Sequence, residues 1–187
     1  MNNQKSKLDS LRAKMQIKQA ETALSLEKFI WQHMEELERE GVVLGLSGGV
    51  DSTVVAALCK RAVGSEKILA LIMPEKDSKR EQTEDALALA EELGIRSRLI
   101  DITPYLKKLG VYKLFPLNKP LMPKKLKEIM VRKAYNYYRR KTGETPFAAS
   151  LGGLKNKEFN NYLKRSNAYY RAKHRLRMLL LYLEGEK

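Results

Sequence analysis

In the stretch LGLSGGVDSTVV, residues 44–55, Ser47, Gly48, Gly49, Asp51 and Ser52 stand together between apolar runs. Gly48 and Gly49 can adopt positive φ angles and let a phosphate approach the backbone. Successive N–H groups at the start of a following helix would then point at the anion, assisted by the helix dipole. Ser47 and Ser52 add hydroxyl donors. Asp51 would repel a phosphate unless a cation lay between them, and Mg²⁺ held by Asp51 and phosphate oxygens is the economical solution. No lysine closes the loop, which excludes the Walker A pattern, and the Gly-x-Gly-x-x-Gly spacing of a dinucleotide fingerprint is missing as well.

Such a loop needs a strand before it and a helix after it. VVLGL (42–46) reads as a buried strand, and STVVAALCKRAV as a helix with Gly64 as its stop. KILALIM (67–73) is a second buried strand closed by Pro74. SKREQTEDALALAEEL starts at an N-cap, Ser78, and ends before Gly94; RSRLIDI (96–102) is a third strand. Strand, helix, strand, helix, strand predicts an α/β fold with a parallel sheet and crossover helices. Upstream, Leu8, Leu11, Met15, Leu24, Leu26, Ile30, Met34 and Leu37 fall at helical spacing, with Gly41 where a left-handed cap would sit. Downstream, Pro116, Pro120 and Pro123 suggest an extended connection. A helix over 124–140, a loop at TGETPFAASLGG and one or two helices over 156–183 follow.

The net charge of the 187 residues is +14, which calls for an anionic partner: a nucleotide, a nucleic acid or an acidic membrane surface. The charge is localised, since residues 121–175 hold fifteen Lys or Arg against three Glu and so carry +12 of it. Tyr135, Tyr137, Tyr138, Tyr162, Tyr169 and Tyr170 lie in the same stretch and could stack on bases or simply pack helices. Cys59 is the only cysteine, which excludes an intramolecular disulfide and a cysteine-rich zinc site; within VVAALC it reads as a buried helix residue. The polar N-terminus lacks a signal-peptide core, and the apolar runs are too short to span a bilayer, so a cytoplasmic protein is expected.

SGGVDS resembles the pyrophosphate loop of the N-type ATP pyrophosphatases, which split ATP between its α and β phosphates. Within that superfamily the chain is most similar to the NAD synthetase family. LGLSGGVDSTVVAAL resembles the family's loop and helix, LALIMPEKDS its second strand, DALALAEELGI its next helix and IDITPYL its third strand. RLRMLLLY (175–182) resembles its Arg-x-Arg-Met helix. The resemblance implies a Rossmann-like, adenine nucleotide alpha hydrolase-like sheet with flanking helices and a basic helical insertion. It also implies ATP and Mg²⁺, and a reaction in which nicotinic acid adenine dinucleotide is adenylated and then amidated by ammonia to give NAD, AMP and pyrophosphate.

Carried onto this sequence, the resemblance has Ser47, Gly48, Gly49, Val50, Asp51 and Ser52 binding the pyrophosphate portion, with Asp51 catalytic and also the Mg²⁺ ligand. Gly45 and Leu46 would lie beside the nucleotide, the Met73 backbone would meet adenine, and Lys173, Arg175 and Arg177 would serve the site. The family's helix motif usually begins with Asn, where this chain has Arg171; His174 stands where a small residue is usual and reads as a helix-surface histidine.

The family's fourth strand, with a Gly-Thr motif and a Mg²⁺-binding glutamate, has no counterpart before Lys187, so the sheet is expected to be incomplete on one side. The organisation expected is one domain over 1–187, truncated at its C-terminus. It comprises N-terminal helices over 5–40, a nucleotide-binding core over 41–104, a lid-like basic insertion over 113–170 and a C-terminal helix over 171–187. A fragment, a subunit completed by a second chain, a homodimer and a degenerate nucleotide binder all fit this pattern. A non-catalytic ATP- or RNA-binding module and a tRNA-modifying or sulfur-transfer enzyme are the other readings of the loop, the last poorly served by Cys59.

Overall fold

A computed structural model of the chain describes residues 16–114, 123–145, 148 and 160–187. Pro116, Pro120, most of the loop at TGETPFAASLGG, the start of the N-terminal helical stretch and the side chain of Tyr162 fall outside what is described. The chain forms two compact units, one of residues up to Met73 plus Ser78–Ile100, the other of Pro74–Asp77 plus Asp101–Lys187.

The first unit is a three-stranded parallel sheet with helices between its strands. Helix α1 (Gln19–Glu36) precedes strand β1 (Val42–Gly45); helix α2 (Val50–Val63) leads through a 3₁₀ turn (Ser65–Lys67) to β2 (Ile68–Ile72); and helix α3 (Arg80–Glu92) leads to β3 (Arg96–Leu99). The order is β1-β2-β3, both pairs parallel, with Val42 opposite Ile68 and Leu69 opposite Arg96. Parallel pairing requires a crossover between consecutive strands, and α2 and α3 supply them. Alternation along β2 puts Ile68, Ala70 and Ile72 on one face, where they join Met34 of α1, Ala56, Cys59 and Val63 of α2, and Ala86 and Ala90 of α3 in one core. Cys59 is therefore a core residue, and burial pushes its thiol pKa up.

Several boundaries differ from the sequence reading. Helix α1 ends at Glu36, and the left-handed residue that follows is Glu38, at φ 51°, with Arg39 N donating to Met34 O at 2.9 Å. Gly41 has a different use: a Cβ there would lie 2.5 Å from Lys67 O, so glycine lets the chain pass close before entering β1. Helix α3 begins at Arg80 with Lys79 as its N-cap, one residue after the expected Ser78. Strand β3 stops at Leu99, where Ile100 N still bonds Ile72 O at 2.8 Å.

In the second unit, helix α4 (Thr103–Lys108) starts where Asp101 Oδ1 accepts from Thr103 N at 2.8 Å. Helix α5 (Val111–Leu114) follows at once. Helix α6 (Lys124–Thr142) carries the basic stretch to a left-handed cap at Gly143. Helix α7 (Asn160–Gly185) runs 26 residues without a break, so the described part of the last helical stretch is one helix. Ile102, Leu106, Val111, Tyr138 and Tyr169 are buried in this unit. Among the described residues no helix is long and apolar enough to cross a membrane.

Candidate functional site

The loop after β1 is short and closed by its own bonds. Leu46 is buried and extends the ladder by donating its N–H to Leu71 O at 3.0 Å. Gly48 then turns at φ 73°, and a Cβ added there would lie 2.3 Å from Gln82 O and 3.3 Å from the Asp85 Cβ. Conformation and space both demand glycine at this position. Gly49 does not share that role: at φ −94° it is the extended N-cap of α2, and the positive φ expected of it is absent.

The two serines fasten the turn. Ser47 N donates to Ser52 Oγ at 3.2 Å, the two hydroxyl oxygens are 3.0 Å apart, and Ser52 Oγ donates to Gly49 O at 2.9 Å. Gly49 O also accepts from Thr53 N at 3.1 Å and from Thr53 Oγ1 at 3.0 Å. Gly49 N donates to Ser47 Oγ at 3.3 Å. Both hydroxyls are thus engaged in positioning the loop; Ser47 is exposed and Ser52 half-buried. The first N–H groups of α2 have no acceptor within the helix, which is the arrangement that receives an anion. Val50 and Asp51 are exposed in that first turn. Among the described residues no three His, Cys, Asp or Glu side chains group to hold a metal, so a cation at Asp51 would take most of its ligands from phosphate and water, as Mg²⁺ does.

A second polar cluster lies wholly in the other unit. Lys173 of α7 is 6% exposed and Glu75 9%, the only buried charged side chains among the described residues. Lys173 Nζ donates to Glu75 Oε1 at 2.7 Å, to Asp77 Oδ2 at 3.0 Å and to Tyr169 Oη at 2.7 Å. Tyr112 Oη donates to Glu75 Oε2 at 2.8 Å, and Tyr169 Oη donates to Asp77 Oδ2. The ammonium lies 3.9 Å from the Tyr169 ring centre, within cation–π range. Burial and the neighbouring carboxylates push the Tyr112 and Tyr169 phenols up. Burial alone would raise the Asp77 carboxyl, but the Tyr169 and Lys173 hydrogen bonds and the charges of Lys173 and Lys76 outweigh it and hold it low.

Of the three helix residues singled out in the sequence, Lys173 and Arg177 are one turn apart on one face of α7. Arg177 is partly buried, and burial lowers its pKa against the opposing influence of Glu75. Arg175 is exposed, about 200° around the helix from Lys173. His174 is exposed too, as a surface histidine should be. Glu75, Asp77, Tyr112 and Tyr169 escaped the sequence reading as parts of one cluster. The available signal was the Tyr169/Lys173 spacing of four on a helix, together with two carboxylates directly after Pro74.

An open parallel α/β sheet whose first strand runs through a glycine turn into an exposed helix start is a nucleotide-binding type of domain. The sequence model of the NAD synthase family matches residues 22–142, and the chain belongs to that family. The NH(3)-dependent NAD(+) synthetase of Thermotoga maritima is 44% identical over 163 residues, covering 87% of this chain and 55% of that protein. The enzyme of the same name from Coprothermobacter proteolyticus is 39% identical over 163 residues, covering 87% of this chain and 54% of its own. Among solved structures, the NH3-dependent NAD synthetase from Campylobacter jejuni, in complex with the nitrate ion, gives a TM-score of 0.48 at 28% identity, over 73% of this chain and 54% of that one. The chain spans about half the length of the curated relatives it matches.

Proposed function

We propose that the chain provides the ATP-binding part of an ammonia-dependent NAD synthetase. The observation that carries this reading is the 44% identity over 163 residues to the Thermotoga maritima enzyme, joined to a loop in which Gly48 is the only residue type that fits. The backbone of residues 47–50 and the Ser47 and Ser52 hydroxyls receive the β and γ phosphates of ATP. Gly45 and Leu46 border the nucleotide, the Met73 backbone meets the adenine, and Lys173, Arg175 and Arg177 belong to the helix that serves the substrates. The exposed Asp51 carboxylate in the first turn of α2 suits a Mg²⁺ ion shared with phosphate oxygens, and such an ion supplies neutralisation of the charge that builds on pyrophosphate.

The reaction has two displacements. A carboxylate oxygen of nicotinic acid adenine dinucleotide attacks the α-phosphorus of ATP; the bond to the β-phosphate oxygen breaks and pyrophosphate leaves. Ammonia then attacks the acyl carbon, AMP leaves with the bonding electrons, and the amide loses a proton to give NAD. The loop's part is to hold the leaving pyrophosphate in line and stabilise its charge with fixed N–H dipoles. Among the described residues β1 pairs on one side only, with β2, and its other edge suits further strands, on a longer polypeptide, on a second chain or on a second copy of this one. We place the chain in the cytoplasm, a reading supported only by its likeness to NAD synthetases.

The test follows ammonia-dependent conversion of the deamidated dinucleotide to NAD with Mg·ATP, alongside calorimetric binding of Mg·ATP. Asp51→Ala should cut Mg·ATP affinity by about tenfold or more and abolish turnover. Unchanged affinity in that variant overturns the assignment of Asp51.

A further inference from the structure

Helix α6 carries its cations beside apolar side chains that the fold leaves outside. With about 3.6 residues per turn, Leu126, Ile129, Met130, Lys133, Tyr137 and Arg140 fall in one stripe about 100° wide. Leu126, Ile129, Met130 and Tyr137 are 45%, 52%, 37% and 56% exposed, and Lys133 and Arg140 between them are exposed too. Arg132 and Arg139, also exposed, extend the cationic side. Among the described residues none of these four cations has an acidic partner. Tyr138 is the one buried side chain among the described residues of α6, and it lies about 130° around the helix from the middle of the stripe. The helix is therefore anchored through a different side, and the stripe faces solvent.

Cations and aliphatic groups in one exposed stripe serve the same partner only if that partner is both anionic and apolar. A polynucleotide would engage the cations and a tyrosine ring, but it has no use for Leu126, Ile129 and Met130. An acidic lipid surface offers both layers, with anionic headgroups above and acyl chains directly beneath. Lysine and arginine reach such headgroups while their stems lie along the apolar layer, and tyrosine suits the boundary between the two. We propose that α6 is a docking helix for anionic membrane surfaces. It lies in the plane of the interface, with Leu126, Ile129, Met130 and Tyr137 inserted and Lys133 and Arg140 on the headgroups. The attachment is peripheral, since among the described residues no helix is long and apolar enough to cross a bilayer.

The experiment is co-sedimentation of the full chain with vesicles of phosphatidylcholine, alone or with about a third phosphatidylserine, alongside binding of a single-stranded RNA. It compares the wild type with Lys133→Ala/Arg140→Ala and with Leu126→Ala/Ile129→Ala/Met130→Ala. Alanine keeps helix propensity, the sites are exposed, and circular dichroism checks that the helix persists. We expect the wild type to bind the anionic vesicles about tenfold or more tightly than the neutral ones, and each variant to lose about tenfold of that affinity. If the triple variant does not fold, Ile129→Ala alone should lose about threefold. A folded apolar variant that binds like the wild type overturns the proposal, since charge alone would then be at work. Equal binding to neutral and anionic vesicles overturns it too, as does binding to RNA without binding to vesicles, or binding to neither.

Discussion

The molecule builds two polar clusters by opposite means. The phosphate loop is local: its bonds join residues no more than five apart, its donors are backbone N–H groups and small hydroxyls, and it faces solvent. The Lys173 cluster is assembled from three separate stretches of chain, uses long ionisable side chains and lies largely out of water. The loop leads into an exposed first turn of α2, whereas the second cluster pairs its ammonium with its own carboxylates. The contrast teaches that apparent chemical reactivity and actual availability are different properties. Asp51 is exposed and open to a cation, whereas Glu75 is occupied by an ammonium and a phenol.

If that contrast is right, the buried cluster should fail hardest. Lys173→Met removes the ammonium that Glu75 and Asp77 share, and we expect a loss of about 3–5 kcal/mol in denaturant unfolding. Adding Glu75→Gln should recover most of it, since the cost lies in the unpaired charge; no recovery would mean the side chains matter as packing. Next in size is the loop. Gly48→Ala puts a methyl group 2.3 Å from a backbone oxygen at a positive φ, and should cost about 2–3 kcal/mol in the same measurement. A neutral result would show that α3 can withdraw from the loop.

The smallest effect is the pH dependence. Asp77 is held low in the folded chain, so its contribution is present above the unfolded carboxylate range, about pH 4, and is lost as pH falls through its folded value. Tyr112 and Tyr169 are held high, so theirs is complete below about pH 10 and lost as pH rises beyond it. Asp77→Asn should therefore flatten the acid limb of the stability profile and leave the alkaline limb in place. A steep acid limb in Asp77→Asn would assign it to other carboxylates.

Much of the first unit was legible because its signals are short-range. Apolar runs of four or five residues marked β1 and β2, and the glycines at 64 and 94 stand just past the helices they end, both at positive φ. Sequence reasoning failed where another residue could do the expected job. Glu38 adopts the left-handed turn assigned to Gly41, and Gly49 needs no unusual φ because Gly48 makes the whole turn. For β3, whose residues are exposed, the apolar tail of RSRLIDI extended the expected strand too far; Ile102 instead caps α4 and is buried in the second unit.

The sequence by itself determined the strand–glycine turn–helix and the family. Each depends on types and spacings within about a dozen positions, where backbone geometry allows few outcomes. Only the tertiary structure decided which of 36 lysines and arginines would be taken out of water. Desolvation is a property of everything packed around a group, and the carboxylates that make it tolerable for Lys173 lie almost a hundred residues away. The one local hint, Tyr169 four residues before it, does not specify that lysine's burial; its environment does.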